Sequence, residues 1–326
     1  MPNGPATATH FLESLTAAPA DPALAIVFPG QGSQKVGMGR DVFESFPSAR
    51  DVFNFADEAL QVGLSTICFE GPEEALTSTD NAQPAILTAS LAYLAAAVES
   101  GTIRHRPSFL AGHSLGEYTA LAAANVIDFA TAVYLARERG RLMHEAGLKE
   151  PGGMVAIIGL DEDVLLEVCD QTGTQIANFN CPGQLIISGS MVNLPKASEY
   201  AQAKGASRIV PLQVSGAFHS PLMQPAKEGL FEIIAKLPFR DPAVPIIANV
   251  TAKPLTKAEE VKTELIEQLC NCVQWHHSIE YMVNNGVSTI YEIGPGKVLA
   301  GLIKRINKEM DVRNIGDIAA IKNLSL

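Results

Sequence analysis

A serine between two glycines, Ser114 in AGHSLGEYTAL (residues 111–121), has the G-x-S-x-G spacing of a nucleophile elbow. In an elbow a strand runs into a helix with almost no connection, which leaves no room for side chains two positions either side of the serine. Gly112 and Gly116 relieve that crowding, and the hydroxyl stands exposed at the helix N-terminus. The same five residues also suit a Gly/Ser loop capping a helix, so the pentapeptide alone leaves both readings open. A serine nucleophile needs a base, and the chain has seven histidines. His10 lies in the N-terminal segment, His105 in the basic loop RHRP, and His144 late in a helix, where its charge suits the dipole. His113 adjoins Ser114, so its side chain should diverge from the hydroxyl. His276 and His277 follow Trp275 near a helix start. His219 differs, because it sits in the irregular apolar loop SGAFHSPLM, closed by Pro221. Catalytic groups gather on loops held by a rigid frame, which makes His219 the candidate base.

Arg139 is placed by helical geometry. At 100° per residue, Arg137 and Arg141 share one face and Arg139 points to the other, beside Leu135, Ala136, Leu142 and Met143. A guanidinium on an apolar face needs an anionic partner, since an unpaired buried charge costs several kcal/mol. That partner is either a protein carboxylate or a carboxylate on the substrate.

Two other patterns are set aside. In CNCVQWHH, Cys270, Cys272 and His276 invite a zinc reading, but no second ligand pair stands nearby, and no metal is expected. GQGSQKVG would need glycine at position 35 to be a dinucleotide fingerprint, and that position is Lys35. Its backbone N–H groups suit a developing oxyanion instead.

These groups must be held by a frame. The 326 residues are 47% hydrophobic and 18% charged, enough for one large or two smaller globular units. A net charge of −11 disfavours nucleic acid and anionic membranes as partners. Five cysteines without framework spacing, and no secretory signal, point to a reducing cytoplasm. PAILTASLAYLAAAV (84–98) is shorter than the roughly 20 residues of a membrane span and reads as a buried helix. LAIVF (24–28) reads as a buried parallel strand, and the Ser114 turn follows a second strand at 108–111. From 150 to 213 the order is β-α-β-β-α-β, the ferredoxin-like pattern. The expected fold is therefore α/β. A large domain with a mostly parallel sheet spans 23–149 and 214–326, a ferredoxin-like subdomain is inserted at 150–213, and residues 1–22 form a flexible extension. A last helix is expected from about residue 297.

Several stretches, in order, resemble one family. They are FPGQGSQKVGMG (28–39), QPAILTAS (83–90), GHSLGEYTAL (112–121), NVIDFA (125–130), RERGRLM (137–143), NFNCPGQLIISG (178–189), AFHSPLM (217–223), VQW (273–275) and YEIGPGKVLAGLIKRI (291–306). The chain resembles the malonyl-CoA:acyl carrier protein transacylases of fatty-acid synthesis. The resemblance implies a hydrolase-like α/β domain with an inserted ferredoxin-like one. It implies Ser114 as nucleophile, His219 as base, and an oxyanion hole from the N–H groups of Gln31 and Leu115. Arg139 would hold the malonyl carboxylate, and the main-chain carbonyl of Gln268 would orient the histidine. Phe218 before the histidine goes with malonyl rather than methylmalonyl substrates. No cofactor would be bound. Malonyl-CoA would be the substrate, holo acyl carrier protein, bearing the phosphopantetheine, would be the partner, and the enzyme is expected to be a monomer. Lys297, Lys304, Arg305 and Lys308 are candidates to meet that acidic carrier, or else a solvated helix face. A polyketide synthase client and, from another class, a serine esterase are the alternatives. NCVQW departs from the family's usual Asn-Pro start, and the N-terminal extension is atypical.

Overall fold

The computed structural model describes residues 10–325. Its strands are β1 (Ala20–Phe28), β2 (Arg106–Gly112), β3 (Gly152–Ile158), β4 (Gln175–Cys181), β5 (Gln184–Ser190), β6 (Arg208–Pro211), β7 (Ile246–Ile247), β8 (Pro254–Leu255), β9 (Thr289–Ile293) and β10 (Asp311–Ile315). They form two sheets. The larger has the order β10-β9-β1-β2-β7-β8, parallel except where β7 meets β8. At its centre, Ala25 to Phe28 are wholly buried, as expected of a parallel strand covered on both faces. The smaller sheet is antiparallel with the order β4-β5-β3-β6. With helices Glu162–Thr172 and Asn193–Ala203 between its strands, it is the ferredoxin-like arrangement.

Two buried helices carry the site's polar groups. Helix Thr79–Glu99 is apolar on nearly every side and almost completely buried. Pro84 lies inside it and cannot donate to the carbonyl of Asp80, which accepts from Arg137 instead (3.1 Å). Helix Phe129–Lys149 crosses it at Gly140, where a Cβ would come within 2.5 Å of the Thr79 carbonyl oxygen. That close crossing sets Arg139 beside Gln83. Among the described residues, no helix is long and apolar enough to cross a membrane.

Two expectations are corrected. The segment 1–22 is not a flexible extension over its described part: His10–Ala17 is a helix that buries Phe11, Leu12 and Leu15, and β1 already begins at Ala20. The apolar spacing at 11, 12 and 15 was hidden by the Ala, Pro and Thr around it. Residues 1–9 lie outside the described residues. Nor does the helix near residue 297 end the fold. Helix Val298–Ile306 is followed by β10 and helix Ile318–Leu324. β10 is a half-exposed edge strand, so its sequence DVRNI lacks a continuous apolar run.

Candidate active site

β2 ends at Gly112 and helix Leu115–Ala123 starts three residues later, so Ser114 stands on the turn between them. A Cβ on Gly112 would lie 1.9 Å from the carbonyl carbon of Gly116, and one on Gly116 would lie 2.1 Å from the Phe28 carbonyl oxygen. Both glycines are therefore required by the close packing of strand and helix. Ser114 itself adopts φ 51°, ψ −104°, a conformation that L residues rarely take. Asn249, just past β7, holds the turn: its Oδ1 accepts from the Ser114 N–H (2.7 Å) and its Nδ2 donates to the Gly112 carbonyl (2.7 Å).

His219 reaches Ser114 from 105 residues away, with its Nε2 2.8 Å from the serine Oγ. Its Nδ1 lies 2.8 Å from the Gln268 main-chain carbonyl. A carbonyl only accepts, so the proton is on Nδ1, and Nε2 is left free to accept from the hydroxyl. Burial, and then the charge of Arg139, push the His219 pKa down to about 3. The imidazole is thus neutral at ordinary pH, the form a general base requires. Its backbone is also left-handed (φ 57°), and Ser188 on β5 donates to the preceding carbonyl of Phe218 (2.6 Å).

Arg139 is 1% exposed and lies beside these two residues. It donates to Gln83 Oε1 (2.9 Å), Gln268 Oε1 (2.7 Å) and Ser114 Oγ (3.1 Å), and sits over the Tyr118 ring at 5.1 Å. All three acceptors are uncharged, and Nε has no partner among the described residues. The two neighbouring arginines behave as their helical face demands, Arg137 pairing with Asp80 and Arg141 with Glu138 and Glu145.

A cleft of about 270 Å³ opens over Ser114, His219 and Arg139, between the two sheets. Gly30, Gln31 and Ser33 line one side, and Ile186, Leu212, Val214 and Val298 give it an apolar wall. Phe218 also lines it. The N–H groups of Gln31 and Leu115 donate to no acceptor among the described residues, whereas that of Ser114 is occupied by Asn249. Two free donors near the serine are what a developing oxyanion needs. His113 turns away from Ser114, as its position requires, and pairs through Nε2 with Asn180 Oδ1 (2.9 Å) on the cleft wall. Its pKa is lowered by burial. His276 and His277 lie on helix Trp275–Asn284, where their partners are Glu280 and Gln274. Among the described residues, no group of three or more His, Cys, Asp or Glu side chains is placed to hold a metal ion, and Cys270, Cys272 and His276 form none.

Asn249, Gln83, Asn180 and the Gln268 side chain were not found from sequence. Gln83 and Asn180 do fall within the stretches QPAILTAS and NFNCPGQLIISG, but nothing local distinguishes them from other buried amides.

An acyl transferase domain model matches residues 25–322. The chain is 46% identical over 304 residues to the malonyl CoA-acyl carrier protein transacylase of Bacillus subtilis, covering 92% of this chain and 95% of that one. The Escherichia coli protein of the same name is 44% identical, over 86% of this chain and 92% of its own. Among solved structures, an acyl carrier protein S-malonyltransferase from Vibrio cholerae superposes with a TM-score of 0.89 at 40% identity, covering 93% of this chain and 99% of the other. A malonyl-transacylase in complex with its type II polyketide synthase acyl carrier protein matches with a TM-score of 0.89 at 39% identity, over 92% and 98% of the two chains. The fold, the elbow and these likenesses agree, and the chain belongs to the acyltransferase family of malonyl-CoA:acyl carrier protein transacylases.

Proposed function

We propose that the chain moves a malonyl group from malonyl-CoA to the phosphopantetheine thiol of holo acyl carrier protein, through an ester on Ser114. One observation carries this reading: a buried guanidinium stands beside a serine–histidine pair with only neutral acceptors around it. A plain esterase has no use for that charge, and a malonyl carboxylate supplies its counter-ion.

The steps follow from the geometry. His219 Nε2 takes the Ser114 proton as Oγ attacks the thioester carbonyl. The N–H groups of Gln31 and Leu115 stabilise the oxyanion, about 2.7–4 kcal/mol for such a donor in comparable sites. The tetrahedral intermediate collapses, the CoA thiolate leaves, and it takes the proton from His219. The carrier's thiol then enters, His219 accepts its proton, and the thiolate attacks the malonyl ester. Collapse returns the proton to Ser114 Oγ. The Gln268 carbonyl keeps the imidazole in the right tautomer throughout, and Arg139 holds the malonyl carboxylate by a charge-assisted pair. Phe218 shapes the acyl end of the cleft for malonyl. One chain supplies the whole set, which supports a monomeric enzyme, and five free cysteines suit a reducing cytoplasm. The helix that carries Lys304 and Arg305 also lines the cleft through Leu299 and Leu302, which supports docking of an acidic carrier there.

A steady-state assay with malonyl-CoA and holo carrier protein tests the reading. Double-reciprocal plots should be parallel, as ping-pong transfer requires. With acetyl-CoA, whose acyl group does not titrate, kcat/KM should be flat from about pH 5 to 8, because activity is lost only as pH falls toward the lowered pKa of His219. Intersecting plots would overturn the reading, and loss of activity through an ordinary imidazole pKa would contradict the lowered pKa of His219 alone. A second reading, the same transfer for a polyketide synthase, is favoured by the likeness to the complex with a polyketide carrier. The preferred carrier in that assay decides between them.

A further inference from the structure

Beneath the elbow lies a buried carboxyl group that the reaction does not use. Glu117, the third residue of helix Leu115–Ala123, is wholly buried. Its Oε1 accepts from the backbone N–H of Asn249 (3.0 Å), and its Oε2 accepts from Gln268 Nε2. The same Nε2 donates to the Ser114 carbonyl (3.0 Å), while Gln268 Oε1 accepts from Arg139.

The donor–acceptor order of this circuit has one solution. Arg139 has only donors, so Gln268 must face it with oxygen. The Gln268 amide nitrogen then faces Glu117 and the Ser114 carbonyl, both of which accept. We infer that Glu117 is a positioning residue for malonyl selectivity, which acts by fixing the Gln268 amide that holds the Arg139 guanidinium. The inference rests on the reading that Arg139 takes the malonyl carboxylate.

Charge gives the arrangement its purpose. Burial, and then the neighbouring Glu264, hold the Glu117 carboxyl well above the usual carboxylate range, and its hydrogen bonds to Asn249 and Gln268 and the charge of Arg139 offset this only in part. Glu117 in turn favours the charged form of Arg139. A carboxylate touching Arg139 directly would offset its burial but occupy the fork. With a neutral amide between them, Glu117 fixes the group that holds Arg139 and leaves the guanidinium open to a substrate carboxylate.

Glu117→Gln tests this with almost no change of shape. The Asn249 N–H is main chain and cannot turn, so the introduced amide must face it with oxygen and point its NH₂ at Gln268. Gln268 must then flip and present its own NH₂ to Arg139, donor against donor. Acylation by malonyl-CoA and by acetyl-CoA is measured on the variant, with its melting temperature. The expected result is that the malonyl-to-acetyl ratio of kcat/KM falls about tenfold or more. A second variant, Glu117→Gln with Gln268→Glu, restores the donor–acceptor order toward Asn249 and Arg139, but it puts a carboxylate directly on Arg139 and leaves the Ser114 carbonyl without its donor. Its melting temperature should recover in part, since only the mismatch at Arg139 is relieved, while the ratio stays low, and it carries the test if the single variant does not fold. An unchanged ratio in Glu117→Gln, or a wild-type ratio in the double variant, overturns the inference. Arg139→Ala, assayed in parallel, separates the two claims. Equal loss of both substrates there defeats the Arg139 reading itself. A malonyl-selective loss there, with an unchanged ratio in Glu117→Gln, defeats this inference alone.

Discussion

His219→Ala should lower malonyl transfer by about 10²–10⁴-fold or more, the range seen when a general base is removed. His219 is the histidine within hydrogen-bond reach of Ser114, and its Nδ1 is held so that Nε2 can accept. His276→Ala and His277→Ala should leave the rate within a few-fold of wild type, because their partners are Glu280, on their own helix, and Gln274, which precedes its first turn. Single-turnover acylation by malonyl-CoA checks all three. A loss at either of the latter two as large as at His219 would mean that the base is elsewhere.

Arg139→Ala should split the two acyl substrates. Removing one member of a buried charge-assisted pair costs about 2–5 kcal/mol, or at least about 30-fold in rate. Malonyl transfer should fall by that much, and acetyl transfer should be kept or gained, since acetyl has no carboxylate to leave stranded. Arg139→Lys should rescue only partly, because lysine lacks the planar fork that meets a carboxylate with two donors. The competing account, a purely structural arginine, predicts a lower melting temperature with both rates falling together. Its basis is real: loss of the guanidinium leaves Gln83 and Gln268 without their donor. Rates with both acyl-CoA substrates and the melting temperature, all on one purified variant, decide between the accounts.

What the sequence made legible was what local geometry dictates. Gly112 and Gly116 could be read because strand–helix contact excludes side chains at those spacings, and the distances to Gly116 and Phe28 show how little room there is. Arg139 could be read because 100° per residue separates it from Arg137 and Arg141. The order of strands and helices in 150–213 gave the ferredoxin-like sheet for the same reason, since its periodicities are local. His219 was harder: its loop set it apart among the histidines, but its meeting with Ser114 spans 105 residues. Asn249 was not legible, since its role is defined by bonds to Ser114, Gly112 and Glu117 and by nothing in its own neighbourhood. Gln268 was half legible. The resemblance supplied its carbonyl, but its side chain, which joins Arg139 to Glu117, belongs to the tertiary fold alone. Helix His10–Ala17 was lost in a biased composition, and β10 in the weak pattern of an edge strand.

The central claim is that malonyl is carried on Ser114. Brief exposure of the protein to malonyl-CoA without any carrier, followed by intact-mass and peptide analysis, tests it most directly. One malonyl group should appear on the peptide containing Ser114, should vanish in Ser114→Ala, and should be discharged when holo carrier protein is added. A malonyl group on another residue, or a label that persists in Ser114→Ala, would contradict the account.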